Sequence, residues 1–289
     1  MHEVESYCLE KSRNLLPVNN EYIIIGDVHG CIDELKTLLN KQGFSTNKEN
    51  LLNITPENEH KSIVLLGDFV DKGSEKKLEE TIKFIHQNYQ HLNQNRQRLY
   101  LILGNHEEMV YRYIINDPTL IVTPKTIKNK EKYYNTVALL EKNSYLKKLF
   151  IELYEVCQVW YNYLYSEDFS VTLTHAPCPE IYLRKNTKEA EKKMIKCVSR
   201  SKNPKMPLDE LIDYTHTEAQ DNHHYHIFGH LSQPNIRQYK NKICIDTSAI
   251  YGDTLSCLII KKNTLSFDSV PFEYKQEKGT QTYNKLFNF

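Results

Sequence analysis

Five short blocks each stand where an apolar, β-rich run stops, and this restricts the chain to folds in which several strands end at one place. They are Gly-Asp-Val-His-Gly at 26–30, Gly-Asp-Phe-Val-Asp-Lys-Gly at 67–73, Gly-Asn-His-Glu at 104–107, Thr-His-Ala at 174–176 and Phe-Gly-His at 228–230. Residues 22–25, 62–66 and 99–103 read as buried strands, and each is followed by an amphipathic helical segment. In the first helix Ile32, Leu35, Leu38 and Leu39 fall at helical spacing, with Asp33 and Glu34 in the opening turn. Ser74 is placed to cap a second, whose Leu78, Ile82 and Ile85 share a face. The third carries Met109, Val110, Tyr113 and Ile114 on one side. Strand, loop and helix repeated in this way predict an α/β layer structure with a largely parallel sheet, whose ligands gather at the carboxyl ends of the strands.

The later part of the chain changes character. Residues 171–174, 225–228, 242–245 and 255–261 read as strands with shorter connections, expected to form a second sheet packed on the first. Residues 117–168 read as mostly helical, through 136–140, 146–153 and 161–165, and form either a cap over the strand ends or an outer helical layer. No internal repeat or linker divides the chain, so one domain over 1–272 is expected, followed by a polar tail over 273–289.

Composition narrows the partners. In the 289 residues, 37 basic and 37 acidic side chains balance, which removes any general electrostatic reason to bind nucleic acid or a membrane surface. The basic stretch 188–205 is interrupted by Glu189 and Glu191 and reads as a solvated face. Seven cysteines, odd in number and without a Cys-x-x-Cys pair, argue against a disulfide framework or a zinc ribbon and for a reducing compartment. The start carries Glu3, Glu5, Glu10, Lys11 and Arg13 with no apolar core, unlike a signal peptide. A cytoplasmic location is expected, with export by a route that needs no cleavable signal left open. The twenty tyrosines, beside abundant Asn, Lys and Ile, read as compositional bias rather than as an aromatic binding surface.

The chemistry lies in the blocks. Asp27 and His29 leave one strand two residues apart, between glycines that permit a tight turn, so both side chains can converge on one cation. Asp68 leaves the neighbouring strand in the same way, and a carboxylate can bridge two cations. Asn105 offers a neutral oxygen, and His175 and His230 offer nitrogens. This mixture suits Mn, Fe or Zn better than Ca or Mg. Two such ions roughly 3.5–4 Å apart hold a bridging hydroxide and polarise a phosphoryl oxygen. His106, next to Asn105, is the candidate general acid, and Asp71 is the carboxylate expected to hold its imidazolium. Lys72 can bind substrate phosphate oxygens. Two other features carry less. His223, His224 and His226 read as structural or surface residues. Cys178 and Arg184 have the Cys-x5-Arg spacing of thiol phosphatases, but 179–183 is Pro-Glu-Ile-Tyr-Leu, without the glycines an anion-binding loop needs.

Taken together, the blocks resemble the calcineurin-like metallophosphoesterases, in particular the phosphoprotein phosphatase branch with its GDxHG, GDxVDRG and GNHE signature. Bacterial and phage protein phosphatases and the symmetrical diadenosine tetraphosphatases are most similar, and the likeness spans about 22 to 260. It implies a four-layer α/β/β/α sandwich of two mixed sheets. It also implies one divalent cation on Asp27, His29 and Asp68, and a second on Asp68, Asn105, His175 and His230. His106 with Asp71 would be the acid pair, and Lys72, Asn105 and Arg200 the contacts to substrate phosphate.

Three departures accompany the likeness. Lys72 stands where the family has arginine, replacing a bidentate fork with a point charge. Arg200, in Val198-Ser199-Arg200, lacks the Trp-x-Arg context of the family's second phosphate-binding arginine. Ser248 and Asp253 replace glycines in the late segment Asp246-Thr247-Ser248-Ala249-Ile250-Tyr251-Gly252-Asp253. On the first two departures, the expected activity is a metal-dependent phosphomonoesterase acting on phosphoserine, phosphothreonine or phosphotyrosine in proteins. The alternative is a symmetrical dinucleoside polyphosphate hydrolase. A non-catalytic scaffold is disfavoured because no ligand and no acid is missing.

Overall fold

The computed structural model describes residues 14–120, 123–197 and 224–273. Among these described residues, eleven strands form two sheets. Strands β2 (Glu21–Ile25), β3 (Lys61–Leu65) and β4 (Leu99–Leu101) run parallel, in the register Ile23↔Ile63↔Leu99 and Ile25↔Leu65↔Leu101. Their carboxyl ends are thereby level, and the blocks at 26–30, 67–73 and 104–107 leave the sheet at one edge. β10 (Thr254–Lys261) and β11 (Thr264–Pro271) complete this sheet, β10 lying antiparallel to β2.

The second sheet has the order β1-β5-β6-β7-β9-β8. It is made of β1 (Leu15–Leu16), β5 (Trp160–Ser166), β6 (Phe169–Thr174), β7 (Tyr225–Phe228), β8 (Arg237–Tyr239) and β9 (Lys242–Cys244). Here β6, β7 and β9 are parallel, so His175, His230 and Asp246 follow three level strand ends.

Between the sheets Tyr22, Ile24, Val64 and Tyr100 from one meet Tyr161, Tyr163, Leu173 and Ile227 from the other in a closed apolar layer. The opposite face of the first sheet is covered by α1 (Ile32–Lys41), α2 (Glu75–Leu92), α3 (Asn105–Ile114), α5 (Asn135–Lys142) and α6 (Ser144–Val156), while α4 (Pro124–Tyr133) lies against α5. The Ser74 hydroxyl caps α2, accepting from the Lys77 amide. On the outer side of the second sheet, Ala190 and Met194 of α7 (Lys188–Ile195) pack on Trp160, Cys178 and Leu183. The layers are therefore helix, sheet, sheet, helix.

Two sequence expectations are corrected. Residues 255–261 belong to the first sheet, because β10 pairs with β2 and buries Leu255 and Cys257 against the helices and Leu258 and Ile260 between the sheets. Residues 161–165 are strand, not helix, and the helical part of 117–168 ends at Val156. Tyr161 and Tyr163 alternate into the inter-sheet core, and their pairing with β6 prevails over the helical reading. Among the described residues no helix is long and apolar enough to cross a membrane.

Candidate active site

The strand-end loops are locked together before any side chain is considered. The His29 amide donates to the Asp68 carbonyl (2.8 Å) and the Gly30 amide to that of Phe69 (3.2 Å). A Cβ on Gly67 would lie 2.6 Å from the Gly104 nitrogen, so only glycine lets the second and third loops approach this closely. Within that contact Asp68 Oδ1 accepts the His106 amide (3.0 Å).

Two groups of side chains converge here, His29 with Asp68 and His106, and Asp68 with His175 and His230. His29 Nδ1–H donates to the Val70 carbonyl (2.7 Å), leaving the Nε2 lone pair aimed inward, 3.5 Å from Asp68 Oδ2. His175 is oriented in the same way by the Leu66 carbonyl (2.8 Å). Its Nε2 faces Asn105 Oδ1 (3.0 Å), His230 Nδ1 (3.2 Å) and Asp68 Oδ1 (3.4 Å). Nitrogen and oxygen acceptors thus crowd a buried point, with the Lys72 ammonium and the His175 Nε2–H, when protonated, as the donors among them. Asp27, leaving β2 of the first sheet, turns toward the second, and both its oxygens face the His230 amide (3.2 Å each). A Cβ on Gly229 would collide with Asp27 Oδ1, so glycine is required there for the carboxylate to sit where it does.

The electrostatics ask for positive charge. Burial, then Asp246 and Asp68, raises Asp27 well above the usual carboxylate range. Burial, then Lys72, lowers His29 well below its ordinary value, and burial, then His175, does the same to His230. Asp68 is held low despite its burial by His175, His106 and His29. His175 is pushed up to about 10 against its burial, chiefly by Asp68 and then by Asp27 and Glu107. Inward lone pairs on imidazole, an amide oxygen and buried carboxylates are the donor set that a divalent cation of borderline hardness satisfies. The residues therefore fit the metal, and Lys72 marks the same demand. Its ammonium lies 2.8 Å from His29 Nε2, so a cation taking that nitrogen requires Lys72 to swing aside.

His106 stands beside this cluster, with its ring 4.9 Å from that of His29. Its Nδ1–H donates to Asp71 Oδ2 (2.7 Å), which turns Nε2 toward Asp68 Oδ2 (3.9 Å). Asp71 is fixed in turn from α5, since Asp71 Oδ1 accepts the Thr136 amide and the Asp71 amide donates to Thr136 Oγ1 (2.9 Å each). Asn135 does the same for the next residues, its Oδ1 accepting the Lys72 amide (2.9 Å) and its Nδ2 donating to the Gly73 carbonyl (2.8 Å). Tyr134, half-buried, packs its ring 5.3 Å from that of His106.

Of the expected site residues, Asp27, His29, Asp68, Asp71, Lys72, Asn105, His106, His175 and His230 come to this one place, while Arg200 lies outside the described residues. Neither rival feature reaches it as a catalyst. Cys178 is buried and its thiol is raised to about 12 by that burial, and Arg184 pairs with Glu180 (3.5 Å). His226 is buried and bonded through Nε2 to Thr174 Oγ1 (2.7 Å), and His223 lies outside the described residues.

Sequence reasoning missed Glu107, Asn135, Thr136 and Asp246. The buried Glu107 carboxylate collects the amides of Asp68 (2.7 Å), Phe69 (2.9 Å), Val70 (3.1 Å) and Gly104 (3.1 Å). Asp246 is buried near Asp27 and accepts the Ser248 amide (3.1 Å). Both lie in motifs already singled out, and that position was the available signal.

The chain is similar to known proteins over most of its length. A relative from Oceanobacillus iheyensis, bis(5'-nucleosyl)-tetraphosphatase PrpE [asymmetrical], is 28% identical over 242 residues, covering 81% of this chain and 86% of its own. The protein of the same name from Bacillus subtilis (strain 168) is 24% identical over 235 residues, covering 81% and 88%. A crystal structure provisionally described as that of a diadenosine tetraphosphatase superposes with a TM-score of 0.52 at 17% identity, covering 89% of this chain and 96% of that one, and so shares its fold. The profile of the calcineurin-like phosphoesterases matches residues 22–246, most of the chain and all five blocks. The chain belongs to the calcineurin-like phosphoesterase family.

Proposed function

We propose that this phosphoesterase hydrolyses dinucleoside polyphosphates, with two divalent cations on Asp27, His29, Asp68, Asn105, His175 and His230 and with His106 as its general acid. The observation that carries the catalytic part is the buried His106–Asp71 pair (2.7 Å), which points the outer imidazole nitrogen at a cluster of inward lone pairs. The substrate class is supported by the names of the relatives, which match over four-fifths of the chain. That leads to the nucleotide alternative rather than to the phosphoprotein substrate expected from Lys72.

When bound, divalent ions at these donors supply an activated water and polarise a phosphoryl oxygen. The chain's own residues do the rest. His106, held through Nδ1 by Asp71, gives an Nε2 proton to the leaving oxygen as the P–O bond breaks. The water oxygen bonds to phosphorus as that bond breaks, and the proton it gives up passes to solvent, from which His106 Nε2 is reprotonated, so each turnover consumes one water and leaves the acid as it began. Lys72 is the expected point charge for a phosphate oxygen. Its lone ammonium binds without the two-pronged geometry of arginine, which suits a polyphosphate presenting many equivalent oxygens.

The test is a competition panel with manganese supplied, comparing diadenosine tetraphosphate with phosphoserine, phosphothreonine and phosphotyrosine peptides. The reading expects a higher kcat/KM on the dinucleotide. A higher value on the peptides replaces it with the phosphoprotein activity. Product analysis then separates two modes: AMP with ATP marks the asymmetrical cleavage of the relatives' names, and two ADP the symmetrical one.

A further inference from the structure

We propose that Tyr251 is the stacking platform for a nucleobase of the substrate, an inference that rests on the nucleotide reading above and adds a residue to it. Tyr251 ends a single 3₁₀ turn, Ala249–Tyr251, on the approach to β10. Tyr251 is 45% exposed, whereas Ala249 in the same turn is buried. The ring stands against the cluster, with Lys72 Nζ 5.4 Å from its centroid and the same Nζ 2.8 Å from His29 Nε2. One ribose separates the phosphate of a nucleotide from its base, and one lysine head group separates this ring from the cluster.

The turn holds the ring out rigidly. The Tyr251 amide donates to the Ser248 carbonyl (2.9 Å) and the Gly252 amide to that of Ala249 (3.0 Å). Thr247 Oγ1 donates to the Thr254 carbonyl (2.7 Å), and the hydroxyls of Ser248 and Ser232 bond at 2.8 Å. Ser248, a non-glycine residue at φ 63°, and Gly252, at φ 98°, bracket the turn in left-handed backbone. A strained turn tied at both ends that presents an exposed aromatic ring beside a phosphate-binding lysine is preorganised, so stacking a base costs little further ordering. Tyr134, another described ring at the site, is half-buried and packs on His106.

The experiment measures equilibrium binding of AMP and of inorganic phosphate to the manganese-loaded full chain, for wild type, Tyr251→Ala and Tyr251→Phe. Loss of one stacking partner is expected to raise the AMP Kd roughly five- to hundred-fold in Tyr251→Ala, while Tyr251→Phe, which keeps the ring, stays within about threefold of wild type. The phosphate Kd is expected to move less than the AMP Kd. In turnover, the preference for diadenosine tetraphosphate over tripolyphosphate should fall by a similar factor in Tyr251→Ala, through KM rather than kcat. An unchanged AMP Kd overturns the inference, and so do AMP and phosphate affinities that fall together, since the ring would then only prop Lys72. A wild type that does not hydrolyse diadenosine tetraphosphate overturns the functional reading itself, a result separate from either.

Discussion

Replacing Glu107 with glutamine tests how the site is held. The carboxylate receives four backbone amides, with Phe69 and Val70 on Oε1 and Asp68 and Gly104 on Oε2. Glutamine keeps one oxygen for two of them and turns an NH₂ toward the other two, leaving two buried donors facing a third. At about 1–3 kcal/mol for each buried donor left unmet, the loss sums to about 2–6 kcal/mol. With a urea slope of roughly 2 kcal/mol per molar, the unfolding midpoint of the metal-free protein should fall by roughly 1–3 M. The amides also bear on charge. Burial and then Asp68 push the Glu107 carboxyl up to about 8, against the opposing pull of His175 and then of the Val70 and Asp68 amides. A neutral carboxyl would have to place a hydroxyl proton among four donors, so the ionised form is the one that satisfies them. A midpoint within about 0.3 M of wild type would mean that Glu107 is protonated in the fold and that an amide replaces it without loss, refuting the reasoning.

Three further outcomes are expected. His106→Asn should lower kcat by about 10²–10⁴-fold while manganese content, read by elemental analysis, stays at the wild-type level. The loss should be larger for an alkyl phosphomonoester such as a phosphoserine peptide than for diadenosine tetraphosphate or p-nitrophenyl phosphate, whose leaving groups need less help from an acid. Gly229→Ala places a methyl on Asp27 Oδ1, so manganese stoichiometry should drop while the circular dichroism spectrum keeps its α/β form. Cys178, raised to about 12 by burial, stays a thiol at every working pH, so iodoacetamide at pH 8 should leave activity and Cys178 intact by mass spectrometry. Chelation should abolish activity instead, and the reverse pattern would restore the thiol mechanism.

The first sheet was legible because parallel strands buried on both faces are short apolar runs, and glycine marks where each stops. The same signal cannot say which sheet a strand joins. β10 buries both faces as a member of either sheet would, and only its pairing with Ile23 and Ile25 assigns it to the first. β5 was misread because Tyr161 to Tyr165 offers aromatic residues that either period accommodates, and its exposed Leu164 and Tyr165 blur the alternation. The site residues were legible because each sits in a short block beside a strand end. Their supports were not, since Asn135 and Thr136 reach the 67–73 loop across more than 60 residues and carry no local motif.

Strain explains why such supports are needed. His29, Asp68, Asp71, Lys72 and His230 are non-glycine residues at φ between 43° and 68°, and all lie in or against the cluster. Each left-handed residue costs on the order of 1–3 kcal/mol. A side chain leaving a strand end must turn back across that end to meet those of the neighbouring strands, and the left-handed turn is how the backbone does so. The cost falls on the residues whose chemistry forbids replacement by glycine. It is offset by Glu107, by the interlocked amides of His29 and Gly30, and by the start of α5, none of which has to touch a substrate. The helical layer over 124–156 thus serves the chemistry through its packing, because the turn that carries Asp71 and Lys72 keeps its shape only while Asn135 and Thr136 remain seated against it.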